Sequence, residues 1–117
     1  MAHNANGFPQ NMRIKSRSDF MEIQNTGRSF RNREFIVCYK LNKKETSRYG
    51  ITVSRKVGNA VERNRVRRSI REGIRLNNHR PKGVDVVFIA KSYTAKRSTL
   101  KLIQSVDYTL QKIGGLL

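Results

Sequence analysis

The chain has 117 residues and carries 25 Lys or Arg against 8 Asp or Glu, which gives a formal net charge of +17 at pH 7. This length accommodates one domain with a modest core, and the charge favours a polyanionic partner, nucleic acid more than an anionic membrane surface. The sequence has no apolar run long enough to span a membrane (about 18 residues) and no signal peptide. Its single cysteine, Cys38, has no partner for an internal disulfide. These absences predict a cytoplasmic protein without membrane contact.

Residues 1–12 predict a flexible tail. They are polar and contain the helix breakers Gly7 and Pro9. His3 lies in this tail and is expected to be solvated, because no potential metal ligands flank it. Residues 13–117 show no repeat, linker or second apolar unit, so we predict a single RNA-binding domain there.

A short helix is predicted at residues 18–27, with Ser18 as its N-cap and Gly27 as its C-terminal stop. Phe20 and Ile23 are three residues apart and therefore share one face of this helix. Two interpretations of Phe20 stay open. It is either a core residue or the border of a groove, where its ring stacks on a base.

Residues 34–41 and 48–54 predict strands, because β-branched and aromatic residues recur there in alternation. The link between them is polar and too short for a crossover helix, so we expect an antiparallel pair with one apolar face and one face left for polar contacts. A further strand is expected around Ser29 and Phe30. In the strand at residues 34–41, alternation places these residues on one face: Phe35, Val37, Tyr39 and Leu41. Ile36 and Cys38 lie on the other face.

A long helix is predicted after Asn59, with a narrow apolar stripe that repeats at 100° per residue. From Arg55 to Arg75 the chain holds eight Lys or Arg but only two acids. This excess indicates a helix whose apolar stripe packs on a sheet and whose opposite, basic face binds phosphate, which Arg contacts bidentately. The alternative is a basic face that is merely solvated. The expected ion pairs are Glu62–Arg65 and Arg68–Glu72. The stripe consists of Val66, Ile70, Gly73 and Ile74, and the opposite face of Asn64, Arg68, Arg71 and Arg75.

Residues 77–83 break this helix, and His79 is expected to be exposed in the break. Residues 84–90 form a near-continuous apolar run, typical of a buried strand, which we expect to pair in parallel with residues 48–54. The element order predicts one α+β sandwich. A final helix is predicted from its cap Ser98 through the apolar stripe Leu100, Ile103, Val106, Leu110 and Ile113 to a stop at Gly114–Gly115.

A catalytic site within the chain itself is not expected. A metal-dependent nuclease needs several converging carboxylates, whereas the acids here are sparse and individually explained by caps, turns or ion pairs. A histidine pair would require His3 of the tail together with His79. The basic helix superficially resembles the contact helix of a leucine zipper, but no heptads follow it. An autonomous nuclease and a ribosomal or other structural RNA-binding protein stay open as alternatives.

One run carries a specific resemblance. Residues 56–72 read Lys-Val-Gly-Asn-Ala-Val-Glu-Arg-Asn-Arg-Val-Arg-Arg-Ser-Ile-Arg-Glu and closely resemble the signature of the bacterial ribonuclease P protein subunit, with its Arg-Asn-Arg box at 63–65. The likeness extends to the first helix and to residues 50–56 and 85–91. It implies an auxiliary subunit of a ribonucleoprotein endoribonuclease: the protein binds the catalytic RNA and the single-stranded 5′ leader of precursor tRNA, and the RNA removes the leader by hydrolysis that depends on divalent metal, Mg²⁺. No metal held by the protein, membrane or obligate protein partner is inferred.

The resemblance also implies a fold and a site. The family has an α-β-β-β-α-β-α sandwich, similar to the ribosomal protein S5 domain 2-like fold, with a left-handed βαβ crossover that departs from the usual right-handed rule. A cleft between the first helix and the sheet takes the leader. Gln24 stands where the family often has a second cleft aromatic, and Cys38 where it has a strand aromatic. By position, the residues expected to face the catalytic RNA are Arg63, Asn64, Arg65, Arg67, Arg68 and Arg71. Those expected to line the leader cleft are Phe20, Thr52, Ser54, Arg55, Lys56 and Tyr39.

Overall fold

The computed structural model describes residues 12–77 and 80–117 and contains three helices and four strands in those residues. The predictions for residues 1–11, including His3, and for His79 lie outside the described residues. In the described part, 3₁₀ turns occur at Arg55–Val57 and Thr94–Lys96. The predicted α+β element order, including the strand around Ser29 and Phe30, is confirmed. The elements are α1 (Arg17–Thr26), β1 (Arg28–Arg31), β2 (Phe35–Leu41), β3 (Arg48–Thr52), α2 (Ala60–Leu76), β4 (Val84–Ala90) and α3 (Thr99–Leu116).

The four strands form one sheet in the order β1-β2-β4-β3. β4 is antiparallel to β2 and parallel to β3, so the predicted parallel pair across the long helix is confirmed. The predicted antiparallel pair of β2 with β3 is wrong, because β4 lies between them. The physical reason is burial: nearly every residue of β4 is buried, and such a strand needs a hydrogen-bonded neighbour on each side. The left-handed sense of the β3–α2–β4 crossover stays a prediction.

Helices cover the two sheet faces unequally. α2 and α3 pack on one face over the main core, which includes Phe35, Val37 and Tyr39, as alternation along β2 predicts. α1 packs on the opposite face over a smaller cluster that includes Ile23 and Cys38. That second face is therefore partly apolar rather than wholly polar. Leu41, predicted to share the face of Phe35, ends β2 and is 62% exposed.

Local chemistry explains where the helices begin and end. α2 begins at a capping box in which Asn59 and Glu62 each bind the backbone N–H of the other. The side chain of Ser16, and not that of Ser18, accepts a hydrogen bond from Asp19 N at the start of α1. Ser98 caps α3 as predicted, but α3 continues through its two glycines to Leu116. Its buried stripe is also rotated from the predicted one and consists of Leu102, Val106, Thr109, Leu110 and Ile113, with Leu100 exposed.

An ion-pair network fixes the end of the sheet under α1. Arg48 on β3 donates to both oxygens of Asp85 on β4, at 3.0 and 2.6 Å, and lies 3.3 Å from Asp19 of α1. Burial alone would raise the pKa of Asp85, but hydrogen bonds from Arg48 and Asn42 hold it below its ordinary value. Within the described residues, no helix is both long and apolar enough to cross a lipid bilayer.

Candidate nucleic-acid interface

A row of side chains crosses the α1 face of the sheet where α1 does not cover it. Strand pairing aligns Thr52 of β3 with Ile89 of β4, Ile89 with Ile36 of β2, and Ile36 with Arg31 of β1. The first three residues are half-buried and Arg31 is exposed. With strands about 4.8 Å apart, the row is roughly 14 Å long. We call these four residues the open row; they form a shallow apolar floor with a cation at one end.

Phe20 of α1 borders the open row. Its ring packs on Gly50, where an added Cβ would come within 2.6 Å of two ring carbons. The ring also belongs to the apolar cluster that includes Ile89. Phe20 is half-buried, so part of its ring stays accessible beside the floor. Gln24 is exposed on α1, and Cys38 is 6% exposed beneath that helix, where burial raises the pKa of its thiol.

The residues that follow β3 supply cations at the opposite end of the row from Arg31. Ser54, Arg55 and Lys56 are exposed in and next to a 3₁₀ turn that begins three residues after Thr52. The structure thus brings Thr52, Ser54, Arg55 and Lys56 to the same end of the sheet, and their place in a leader cleft stays a prediction.

Tyr39 does not lie at this surface. It is 6% exposed in the main core, where its ring contacts Phe30 edge to face at a centroid distance of 6.1 Å. Because successive strand residues point to opposite faces, Tyr39 and Cys38 cannot both face α1. The expectation that Tyr39 lines the cleft is therefore wrong.

The outer face of α2 forms a second basic surface. Asn64, Arg68 and Arg75 are exposed, while Arg63 and Arg67 are half-buried at the margin of the apolar stripe. An open groove of about 570 Å³ runs between this face and the start of α3, and its lining includes Arg65, Arg68, Arg75 and Thr99. Cations in an open groove bind phosphate without the cost of displacing a packed core.

Arg65 of the Arg-Asn-Arg box is committed to the protein itself. Its Nη2 donates to the carbonyl oxygens of Ala95 and Arg97, at 2.7 and 2.9 Å, and its Nη1 donates to Thr99 Oγ1 at 3.3 Å. The guanidinium therefore connects α2 to the segment that precedes α3. Arg65 is half-buried and also lines the open groove, so its expected role as a residue that faces RNA stays a prediction.

Both ion pairs expected on α2 are replaced. Glu62 is used in the capping box instead of pairing with Arg65. Glu72 pairs with Arg75, at 2.5 Å, instead of with Arg68. Residues three apart on a helix pair as well as residues four apart, so Glu72 can bind Arg75. This pairing leaves Arg68 available for an external partner.

A basic notch joins the two surfaces at the outer edge of β3. A small depression of about 140 Å³ there is lined by residues that include Arg13, Phe20 and Arg71. Burial, followed by repulsion from Arg13 and Arg67, lowers the pKa of the Arg71 guanidinium. Arg13 Nε is buried and makes no hydrogen bond to a described residue. Clustered cations without nearby acids create a field that an anion relieves.

Sequence reasoning missed four contributors to these surfaces: Arg13, Arg31, Ile36 and Ile89. The alternation of β2 assigns Ile36 to the face opposite Phe35, but only the strand order shows that Ile36 lies beside Ile89. In the described part of the chain, no group of three or more His, Cys, Asp or Glu side chains could hold a metal ion.

Comparisons with known proteins point in one direction. The family model described as Ribonuclease P matches residues 8–114. A curated protein of Desulforapulum autotrophicum, named Ribonuclease P protein component, is 37% identical over 107 residues, covering 91% of this chain and 92% of that one. The solved Staphylococcus aureus RNase P protein superposes with a TM-score of 0.79 at 37% identity, covering 87% of this chain and 94% of that one. The Thermotoga maritima RNase P protein gives a TM-score of 0.78 at 32% identity, covering 86% and 96%.

Proposed function

Because the chain belongs to the bacterial ribonuclease P protein family, we propose that its two basic surfaces divide the RNA between them, the open row binding the precursor tRNA leader and α2 binding the catalytic RNA. Membership makes the chain the protein component of an endoribonuclease complex that processes tRNA, with the ribonuclease P RNA as its partner. The ribosomal-protein alternative loses its support with this match.

The open row carries the proposal for the leader. Single-stranded RNA binds where aromatic and apolar groups meet the bases and cations follow the phosphates. Phe20 provides a ring beside the floor of Ile36 and Ile89, and cations stand at both ends, Arg31 at one and Arg55 with Lys56 at the other. Bases can stack on this floor only when they are unpaired and turned outward, so the site favours an unpaired strand.

The α2 surface supports the proposal for the catalytic RNA. Its exposed side chains are mainly guanidinium groups on a rigid helix, and a groove beside them is open to solvent. Structured RNA is bound largely through backbone phosphates, which such a face contacts without reading sequence. Arg63, Asn64, Arg67, Arg68 and Arg71 are the residues proposed to make these contacts, with Arg65 holding the helix in place.

The chemistry of cleavage belongs to the RNA in this proposal. We assign the Mg²⁺ that supports hydrolysis to the holoenzyme. The protein contributes by binding the leader and by neutralising phosphate charge, both of which favour the assembled complex when divalent ions are scarce. We place this activity in the cytoplasm.

Single-turnover cleavage of precursor tRNA at low Mg²⁺ tests this division. Phe20→Leu keeps the apolar bulk but removes the stacking ring, so it is expected to weaken binding of a leader-bearing precursor about tenfold and leave binding of leaderless tRNA unchanged. Arg68→Gln is expected to weaken assembly with the catalytic RNA whatever the leader.

Met21→Leu provides the matched control, because Met21 is the next residue of α1, is 43% exposed and does not border the open row. If Phe20→Leu weakens binding of leader-bearing and leaderless substrates equally, the open row is not the leader site. Assembly unaffected by Arg68→Gln would remove the catalytic RNA from the groove beside α2.

A further inference from the structure

A depression on the far side of the β1–β2 turn is not used by either proposed surface. It has a volume of about 330 Å³ and lies between that turn and α3, with Arg33, Lys101, Gln104 and Tyr108 in its lining. Tyr108 is 59% exposed, so most of its ring is free of protein contact. A large exposed aromatic side chain beside cations is the combination that binds unpaired nucleotides.

Glu34 is the acidic residue in the lining of this depression, and its charge does not repel an incoming anion. Glu34 has a side chain that is only 7% exposed. Its Oε1 accepts a hydrogen bond from Ser105 Oγ at 2.8 Å, and its Oε2 lies 3.3 Å from Arg97 Nε. The carboxylate is thus neutralised within the protein, whereas Arg33 and Lys101 are exposed to solvent. The accessible charge of the depression is positive.

A rigid turn connects this depression to the open row. Arg31 ends the row, and the next three residues, 32–34, line the depression. Asn32 fixes the turn: its Oδ1 accepts from the backbone N–H groups of Glu34 and Phe35, and its Nδ2 donates to Thr109 Oγ1 of α3 at 2.8 Å. A strand that leaves the row at Arg31 therefore meets a fixed surface and not a loop that must first be ordered.

We propose that Tyr108, Arg33 and Lys101 form a distal leader site, which binds a nucleotide of the precursor leader beyond the segment held on the open row. The ring of Tyr108 stacks on the base, and the two cations contact the flanking phosphates. This inference rests on the proposed leader site of the open row and extends it around the β1 edge of the sheet. It predicts that leaders long enough to round this edge gain affinity that short leaders lack.

The test uses the reconstituted holoenzyme and precursors with leaders of about four and about twelve nucleotides. Tyr108→Leu is expected to weaken binding of the long-leader precursor about tenfold and to leave the short-leader precursor unchanged, because only the long leader reaches the ring. Tyr108→Phe keeps the stacking face and is expected to bind like the parent protein. Arg33→Gln should lower the slope of log affinity against log salt by about 0.7 for the long leader alone.

The outcomes separate this inference from the proposal beneath it. If Phe20→Leu weakens binding of both precursors and Tyr108→Leu weakens binding of neither, the open row remains the leader site and the distal site is overturned. Phe20→Leu without effect on either precursor overturns the leader assignment itself. A Tyr108→Leu protein that loses affinity for the catalytic RNA, with no dependence on leader length, assigns the depression to that RNA and contradicts the distal leader site.

Discussion

At the scale of single residues, Arg65 shows that a guanidinium within a basic motif can serve the fold. Two carbonyl oxygens and one hydroxyl accept from it, and all three belong to residues at least 30 positions later in the chain. Truncation of Arg65 would therefore combine a structural loss with any loss of RNA contact. Arg68, which is exposed on the same helix, reports on RNA contact more directly.

Arg65→Lys is expected to lower the free energy of unfolding by about 2 kcal/mol, because an ammonium cannot reproduce the two-carbonyl contact of the planar guanidinium. Thermal unfolding of the free protein measures this loss. Arg68→Lys, an identical exchange at an exposed position, should leave the melting temperature unchanged. Equal melting temperatures for both variants would show that the contacts of Arg65 contribute nothing to stability.

Residue-level predictions from the sequence succeeded where local spacing was sufficient. The buried stripe of α2 follows from helical periodicity alone, whereas periodicity left open whether Phe20 lies in the core or borders a groove. The error at Tyr39 came from transferring a role to the nearest aromatic residue, although a shift by one position in a strand reverses the face. The partners of Arg65 could not be predicted, because backbone carbonyls of residues 95 and 97 leave no trace in side-chain spacing.

At the scale of elements, the α2–α3 contact depends on a missing side chain. Gly73 lies in the buried stripe of α2, and a Cβ there would come within 2.8 Å of Val106 Cβ on α3. Val106 is fully buried and cannot swing away. The glycine thus sets the distance between the two helices that carry the basic groove.

Gly73→Ala is expected to destabilise the protein by roughly 1–2 kcal/mol, since the overpacking exceeds the gain in helix propensity. Gly114→Ala, which meets nothing within 4 Å in α3, isolates the propensity effect and should be neutral or slightly stabilising. Chemical denaturation of both variants compares them. A stabilised Gly73→Ala protein would contradict the close approach of α2 to α3.

Element boundaries were less predictable than element types. Ser16 and Ser18 are both suitable caps for α1, and only the fold decides for Ser16. In α3 the residues Leu100 and Leu102 compete for the core, and the register of the helix against α2 selects Leu102. Such near-equal alternatives are resolved by tertiary packing and not by the local sequence.

At the scale of the whole molecule, the sheet order was beyond local reasoning. A short polar link usually joins hairpin partners, and that rule predicted the wrong neighbour for β2. The decisive fact is non-local: β4 arrives later in the chain and satisfies the backbone of β2 and β3 at once. The open row exists only in this order, since it takes one residue from each strand.

The positions of the two surfaces predict how their substitutions combine. Phe20 and Arg68 lie on different surfaces, so Phe20→Leu and Arg68→Gln should have additive effects on the free energy of activation, within about 0.5 kcal/mol. Phe20 and Arg71 line the same notch, so Phe20→Leu and Arg71→Gln should deviate from additivity by more than that. Single-turnover cleavage at sub-saturating protein measures both pairs. Additivity in both pairs would show that the notch does not couple the surfaces.

The central place of β4 also sets the order of events during synthesis. When β2 and β3 leave the ribosome, β2 can pair with β1 along one edge, but both strands wait for residues 84–90 before they gain their central hydrogen-bond partner. Native pairing is therefore long-range and late, a topology that slows folding. A nascent chain that ends before β4 already exposes the arginines of α2 but lacks the open row on which a leader could lie. It can therefore attract RNA by charge before it can select unpaired RNA.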